Sequence, residues 1–524
     1  MSGFRSSSNV GPHGFGLGAR RKGRRQRVKL RAYTLIERLE DRVLLSTYVV
    51  TNNLDSGPGS LRDDIKTSNA AGGVNTITFA PGLTGTITLT SGQLEISNDL
   101  TIAGPGAASL TISGNNQSRV FLIDAGVTAS ISGITITGGR APDGTASLSP
   151  GGNGGGIYSL GTLALSGDVI RDNTGGTGAP GLKGGDGGGI YAASLTASYC
   201  TVDSNSAGTG GASSGRSGDA GNGGAIFCGS AVITDSTIIN NRAGVPGNVL
   251  FPPGVAGYPG TGGGIFSFDL TLINSTLSGN SPVYGDGGAI RSNGLLRLTN
   301  DTVSGNDGPG LFVEQGDAIL NNTIVAPDSV EGRLDPAGAH NLIGDGSKMT
   351  GLSSGDGNQI GYPGYLLDPR LAPLGNYGGP TQTMALRTGS PAIDAGSNAL
   401  AVGPDGKPLL TDQRGYYRIF NGTVDIGAYE FGASPLLPGD ADADGKVDFA
   451  DLVLVARHYG MTNATWADGD FNNDGSVGFD DLVIVARNYG KTIGGANAAA
   501  PLSPAVVGQL PKHVRAHHRP TLPS

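Results

Sequence analysis

Large side chains are scarce in this sequence: one Trp, four Met and 6% aromatic residues among 524 leave too little bulk for conventional globular cores. Cysteine is almost missing as well. Cys200 and Cys228 stand alone, which excludes a disulfide scaffold, and their different places in the repeats described below predict two buried free thiols. No apolar run reaches the roughly 18 residues that a membrane-spanning helix needs. Basic charge is confined to the start. Residues 1–46 carry eleven Lys/Arg against three Asp/Glu, so the rest of this net −8 chain stands at about −16, a balance that argues against nucleic acid as a partner.

What the sequence has instead is glycine, 93 residues of it, and repetition. Between residues 154 and 306 a glycine-rich step, GGGI or GGAI, recurs five times and places Ile157, Ile190, Ile226, Ile265 and Ile290 in one register. Each copy closes with an apolar residue three before an asparagine, giving Asn173, Asn205, Asn241, Asn280 and Asn306. From isoleucine to asparagine the count is always 15 or 16, whereas successive isoleucines lie 33, 36, 39 and 25 apart. A constant core of about 20 residues is too short to fold alone and must stack on its copies. Short alternating runs such as TLALS and LTLINSTL, rich in β-branched residues and without helical periodicity, make the stacked unit a coil of strands. The predicted fold is therefore all-β, a parallel β-helix with one isoleucine ladder inside and one asparagine ladder at a turn.

The GGAI step paired with apolar-x-x-Asn resembles the repeat of the chlamydial polymorphic outer membrane proteins. More broadly it is similar to the right-handed pectin-lyase-like β-helices, a fold shared by adhesins and by polysaccharide lyases and hydrolases.

Taken in order, the chain opens on a basic segment, 1–46, whose Leu39, Glu40, Arg42, Leu44 and Leu45 resemble the LEPR-XLL sorting motif of large secreted planctomycete proteins. That resemblance implies a secreted or cell-surface location. The β-helix is assigned to 47–327, with GSLRDDIKTSNAAGG as a helix that plugs the first coil, Ser60 as its N-cap and Asp63 completing a capping box. Insertions at 141–153, 175–187, 207–222 and 243–262 all precede the glycine step and should emerge along one edge. Asn153, Asp186, Asn222, Thr261 and Asp286 form a polar column at their bases. It reads either as left-handed turn residues or as oxygen ligands for calcium or sugar hydroxyls. Polysaccharide hydrolysis needs two carboxylates roughly 5–9.5 Å apart. Asp168, Asp203, Asp235, Asp269 and Asp301 scatter around the coil, and the one pair sharing an offset, Asp168 and Asp301, lies four coils apart. Asp235, with Tyr199 and Asn274 beside it, suggests a hydrogen-bonded polar ladder.

Residues 328–431 carry HNLIG, GSPAIDAG, TDQRGYYR and VDIGAYEF, which resemble the choice-of-anchor Q domain of bacterial surface proteins. Its charged members, Asp394, Asp412, Arg414, Asp425 and Glu430, read as pairing and turn residues. In 432–490 two twelve-residue loops recur at an interval of 30. Oxygen donors fall at positions 1, 3, 5 and 12: Asp440, Asp442, Asp444 and Asp451, then Asp470, Asn472, Asp474 and Asp481. Gly445 and Gly475 take the sharp turn at position 6, and Lys446 and Ser476 offer position-7 carbonyls. Asp448 adds a position-9 oxygen to the first loop only. Pro438 bars an entering helix while amphipathic runs follow each loop, so each is half an EF-hand, and the prediction is two calcium ions. The segment resembles type I dockerins along its whole length. That family meets a cohesin through positions 10 and 11, here Phe449-Ala450 and Phe479-Asp480 rather than Ser-Thr. The tail, 491–524, is Ala/Pro-rich and expected to be disordered.

Two functions remain open: a calcium-binding β-helix adhesin or scaffold directed at glycans or cell-surface proteins, and a dockerin-bearing polysaccharide lyase or O-glycosyl hydrolase. The repeats themselves supply no catalytic acid pair, and no catalytic residue is assigned.

Overall fold

The computed structural model describes residues 46–145, 149–442, 444–462, 464–472 and 474–493. The sorting motif and nearly all of the tail lie outside them.

Alternating short runs do form strands, and every pairing between named strands is parallel. One coil shows the plan. Ile157–Ser166 bends to serve two faces and Val169–Arg171 serves a third. They pair below with Phe121–Ile123, Thr128–Ser132 and Thr135–Thr137, and above with Ile190–Ser198 and Thr201–Asp203. The chain is a parallel β-helix.

The isoleucine register holds without a slip: Ile157 pairs with Ile190, Ile190 with Ile226, Ile226 with Ile265 and Ile265 with Ile290. Phe121 lies below this column and Leu311 above it. All are buried in one continuous core. At about 1.5–3 kcal/mol for each large aliphatic side chain removed from water, such columns are the main source of order in a chain short of aromatics.

Leu61–Ala71 is the expected helix, and Leu61 and Ile65 enter the same core over the first coil. The Ser60 side chain accepts from Asp63 N, but the reciprocal half of the capping box is missing. At the other end, strands continue beyond 327 as Ile324–Leu334, Leu342–Thr350 and Gln359–Ile360. From about residue 361 the chain turns back and lies along the flank of the β-helix. Thr237 Oγ1 donates to Gln382 O, Thr276 Oγ1 to Gln413 Oε1, and Ala428 N to Thr302 Oγ1. Beneath this flanking layer Ile324, Ala326 and Leu342 pack against Leu386, Ala392 and Ile426.

After the layer come two short helices, Phe449–His458 and Phe479–Asn488. They are joined crosswise: the chain after each helix pairs with the loop before the other, Thr492 with Lys446 and Thr462 with Ser476. Val447, Val455, Val477, Val485, Phe471 and the sole tryptophan, Trp466, form their common core. Among the described residues no helix is long and apolar enough to cross a membrane.

Candidate metal centre and the polar ladders

In the first loop the carboxylates of Asp440, Asp442 and Asp444 come within 4.8 Å of one another. Gly445 has φ +84° and Gly475 φ +87°, the left-handed turn that position 6 requires. That turn brings Gly445 N to Asp440 Oδ2 at 3.0 Å, and Gly475 N to Asp470 Oδ2 at 2.8 Å. Asp440 Oδ1 is buried with no hydrogen-bond partner among the described residues. Burial, reinforced by Asp451, Asp442 and Asp444, pushes the Asp440 carboxyl up to about 6. Burial likewise raises Asp442 and Asp470. Like charges crowded around an unpaired buried oxygen are disfavoured unless a cation joins them, and an all-oxygen donor set suits a hard divalent ion. The residues present fit such an ion.

The remaining ligand candidates hold the loops in shape. Asp451 Oδ1 accepts from Ala441 N and Oδ2 from Asp448 N, while Asp481 does the same toward Phe471 N and Gly478 N. Asp481 Oδ1 accepts from Asn472 N as well, while Asp451 Oδ1 and Oδ2 and Asp481 Oδ2 each keep a further acceptor site. Asp448 caps the helix by accepting from Ala450 N. Asp444 accepts from Lys446 N, and the Lys446 ammonium lies 3.7 Å from its carboxylate. In the second loop Asn472 Oδ1 and Asp470 Oδ1 both accept from Asp474 N, and Asp474 Oδ1 accepts from Ser476 N and Oγ.

The asparagine ladder of the β-helix is fully engaged. Asn173 N donates to Asn205 Oδ1, Asn205 N to Asn241 Oδ1, Asn241 N to Asn280 Oδ1 and Asn280 N to Asn306 Oδ1. Asn306 N continues the ladder to Asp328. The column at the insertion bases is a second ladder: Asp186 N donates to Asn153 Oδ1, Asn222 N to Asp186 Oδ1 and Thr261 N to Asn222 Oδ1. Its side chains bind neighbouring backbone, and the left-handed residue is the glycine that follows, as at Gly154, Gly187, Gly223 and Gly262.

A third ladder was hidden by counting. Asp168 and Asp301 share one column with Cys200, Ser236 and Ser275: Cys200 N donates to Ser236 Oγ, Ser236 N to Ser275 Oγ and Ser275 N to Asp301 Oδ1. Asp168 accepts from Ile134 N and Ser166 N. Burial raises Asp168 to about 7 and lifts Asp301 well above the carboxylate range. Asp235 meets Asn274 Nδ2 at 3.3 Å and is also raised by burial, to about 7. These acids are joined to the frame of the coil. Both cysteines are free and buried.

The insertions hold the largest surprise. They stack into a layer whose crossing bonds run from glycine to glycine: Gly176 N to Gly152 O, Gly185 N to Gly176 O, Gly208 N to Gly185 O, Gly221 N to Gly208 O and Gly244 N to Gly221 O. Glycines recur every third residue, as in 218, 221 and 224 or 257, 260 and 263, the repeat of a polyproline-II turn. Close approach demands them, since a Cβ on Gly211 would lie 1.7 Å from Ala179 O. The layer also ends deliberately. Gly144, Gly178 and Gly210 each donate to the next insertion, as do Gly151, Gly184 and Ala220, and the residues next in those two series are Pro246 and Pro259, which have no N–H.

Outside the isoleucine column, Tyr191, Phe227 and Phe266 stack with centroids 5.1 and 5.0 Å apart. Stacked rings cover one another's faces, so this strip offers sugars edges rather than platforms.

No known protein-family model matches the sequence, and no curated protein matches it. Among solved structures, the crystal structure of pectate lyase Pel9A is similar over 74% of this chain and 96% of its own, with 14% identity and a TM-score of 0.37. So loose a superposition assigns no residue, and the β-helix rests on the strand pairing above.

Proposed function

We infer that this chain is a secreted or cell-surface scaffold: a β-helix that presents a surface to glycans or cell-surface proteins and ends in a calcium-binding, dockerin-like module. The observation that carries the reading is Asp440 Oδ1, a buried carboxylate oxygen without a partner among the described residues, facing a loop where Asp442 and Asp444 converge. Asp440, Asp442, Asp444, Asp448, Asp451 and the Lys446 carbonyl would hold the first ion. Asp470, Asn472, Asp474, Asp481 and the Ser476 carbonyl would hold the second. Calcium supplies the positive charge that these loops lack.

The scaffold role is supported by what the acids of the repeats do: Asp168 and Asp301 are bonded into buried ladders. The flanking layer, resembling choice-of-anchor Q, fits a display role, because it braces the β-helix along its side. Phe449 and Phe479, 66% and 69% exposed at the same position of the two loops, would meet a cohesin-like or other surface protein.

Calorimetric titration of the full chain with calcium should find two sites, and Asp440→Ala should remove the tighter one. Absence of calcium heat, or an unchanged Asp440→Ala isotherm, would falsify the metal reading. Turnover of uronic-acid or neutral glycans, abolished by one Asp→Ala change, would replace the scaffold with an enzyme.

A further inference from the structure

The module meets the rest of the chain along an incomplete apolar seam. A cleft of about 690 Å³ opens there, walled by Leu409, Leu410 and Ile419 on one side and by Leu454, Ala464 and Ala467 on the other. Beside it Leu410 and Tyr417 pack against the module core, and the seam closes on hydrogen bonds. The chain enters the module bonded back onto the flanking layer, Tyr417 N to Ser434 O and Leu436 N to Gly415 O, both at 3.0 Å. At the end of this strip the carbonyl of Asp440 receives two donors: Trp466 Nε1 at 2.7 Å and Tyr417 Oη at 2.5 Å. Trp466 Nε1 also lies 2.9 Å from Tyr417 Oη, and the two rings meet edge to face.

This junction joins three parts of the molecule at one residue. Tyr417 belongs to the flanking layer and Trp466 to the module core, whereas Asp440 is position 1 of the first loop. Holding the Asp440 main chain fixes where its side chain stands, with Oδ2 on Gly445 N and Oδ1 unpaired among the described residues. Partners that orient a ligand from behind commonly matter about 10- to 100-fold in metal affinity.

The geometry points to one coupled equilibrium: calcium in the first loop and seating of the module on the β-helix body reinforce each other, with Tyr417 as the positioning residue between them. The inference rests on the calcium reading above and extends it to the rest of the chain. Coupling of this kind is reciprocal, because a contact that strengthens the ion's site is itself strengthened by the ion.

The test compares the full chain with Tyr417→Phe, which keeps the ring and removes only the hydroxyl. Calcium calorimetry should show the tighter site weakened about tenfold and the weaker site unchanged. Hydrogen exchange of the wild-type chain should slow at 408–419 and 434–440 when calcium is added, and Tyr417→Phe should lose that response at 408–419. Two unchanged sites in the variant, or wild-type exchange at 408–419 that ignores calcium, overturn the coupling and leave the calcium reading standing. No binding in either protein overturns both.

Discussion

The β-helix body and the C-terminal module treat buried polar groups in opposite ways. In the asparagine ladder of the body each side chain is answered by the next copy of itself: Asn241 accepts from Asn205 N and donates to Val202 O, Ile239 O and Asn280 Oδ1. In the first loop of the module three carboxylates converge, and no described residue answers Asp440 Oδ1. Repetition makes order intrinsic to the body, whereas under the calcium proposal the module's order depends on an ion from solution. On that proposal scarcity of large side chains has two remedies, periodic self-pairing and a bound charge, and they should fail under different conditions.

The largest expected effect attacks the first remedy. Asn241→Ala takes the side-chain partner from two buried backbone groups, Asn205 N and Val202 O, at about 1–3 kcal/mol each, so the body should lose roughly 2–6 kcal/mol. Urea unfolding followed by far-ultraviolet circular dichroism would measure it. The same experiment on Asp440→Ala should leave the body's midpoint in place, and a shared loss in both variants would erase the distinction between the regions.

A smaller and more local effect separates two glycines of one insertion. Gly211→Ala drives a Cβ to 1.7 Å from a backbone oxygen, while the same change at Gly215 meets nothing nearer than Ser213 Oγ at 3.9 Å. Gly211→Ala should cost about 2–4 kcal/mol and expose the insertions to protease, and Gly215→Ala should stay within about 1 kcal/mol of wild type. Equal protease resistance of the two variants would mean that the glycine layer contributes nothing to the body's intrinsic order.

How much of this was legible follows from what the signals are made of. The isoleucine and asparagine columns were readable because the count between them is fixed by the coil, whatever the insertions do. Asp168 and Asp301 share an offset in the sequence, but Cys200, Ser236 and Ser275 between them do not, and a literal offset hides their column. One extra residue lies between Ser159 and Thr162, and another between Ser292 and Leu296, so an offset of 11 in those coils equals 10 in the others. Glycine every third residue stands in the insertions, but strand alternation and helical periodicity both miss a three-residue repeat. The flanking layer could not be foreseen at all. Gln413 reaches Ser236 O, 177 residues away, and no local pattern encodes such a contact. In the module the ligand spacing was plain, but Tyr417 lies outside the repeat that revealed it.

The last and smallest effect is a difference in sign. Burial raises Asp168 and Asp235 to about 7, Asp425 to about 6 and Glu430 to about 8, from ordinary values of 3.8 for Asp and 4.5 for Glu. Across that window the folded body binds more protons than the unfolded chain. Its stability is therefore greatest at the acid side and falls as pH rises, levelling once pH passes about 8. The module should move the other way. Protons compete with calcium for Asp440, whose carboxyl stands at about 6, so calcium affinity should climb as pH passes upward through that value. Calorimetric unfolding in chelator at about pH 5 and 8 reads the first trend, and calcium titration at the same two values reads the second. Two trends of the same sign would mean that one electrostatic account governs both regions. Opposite signs would show that burial within the hydrogen-bonded frame and burial awaiting a cation, though both raise a carboxyl's pKa, set opposite limits on where each part of the chain holds together.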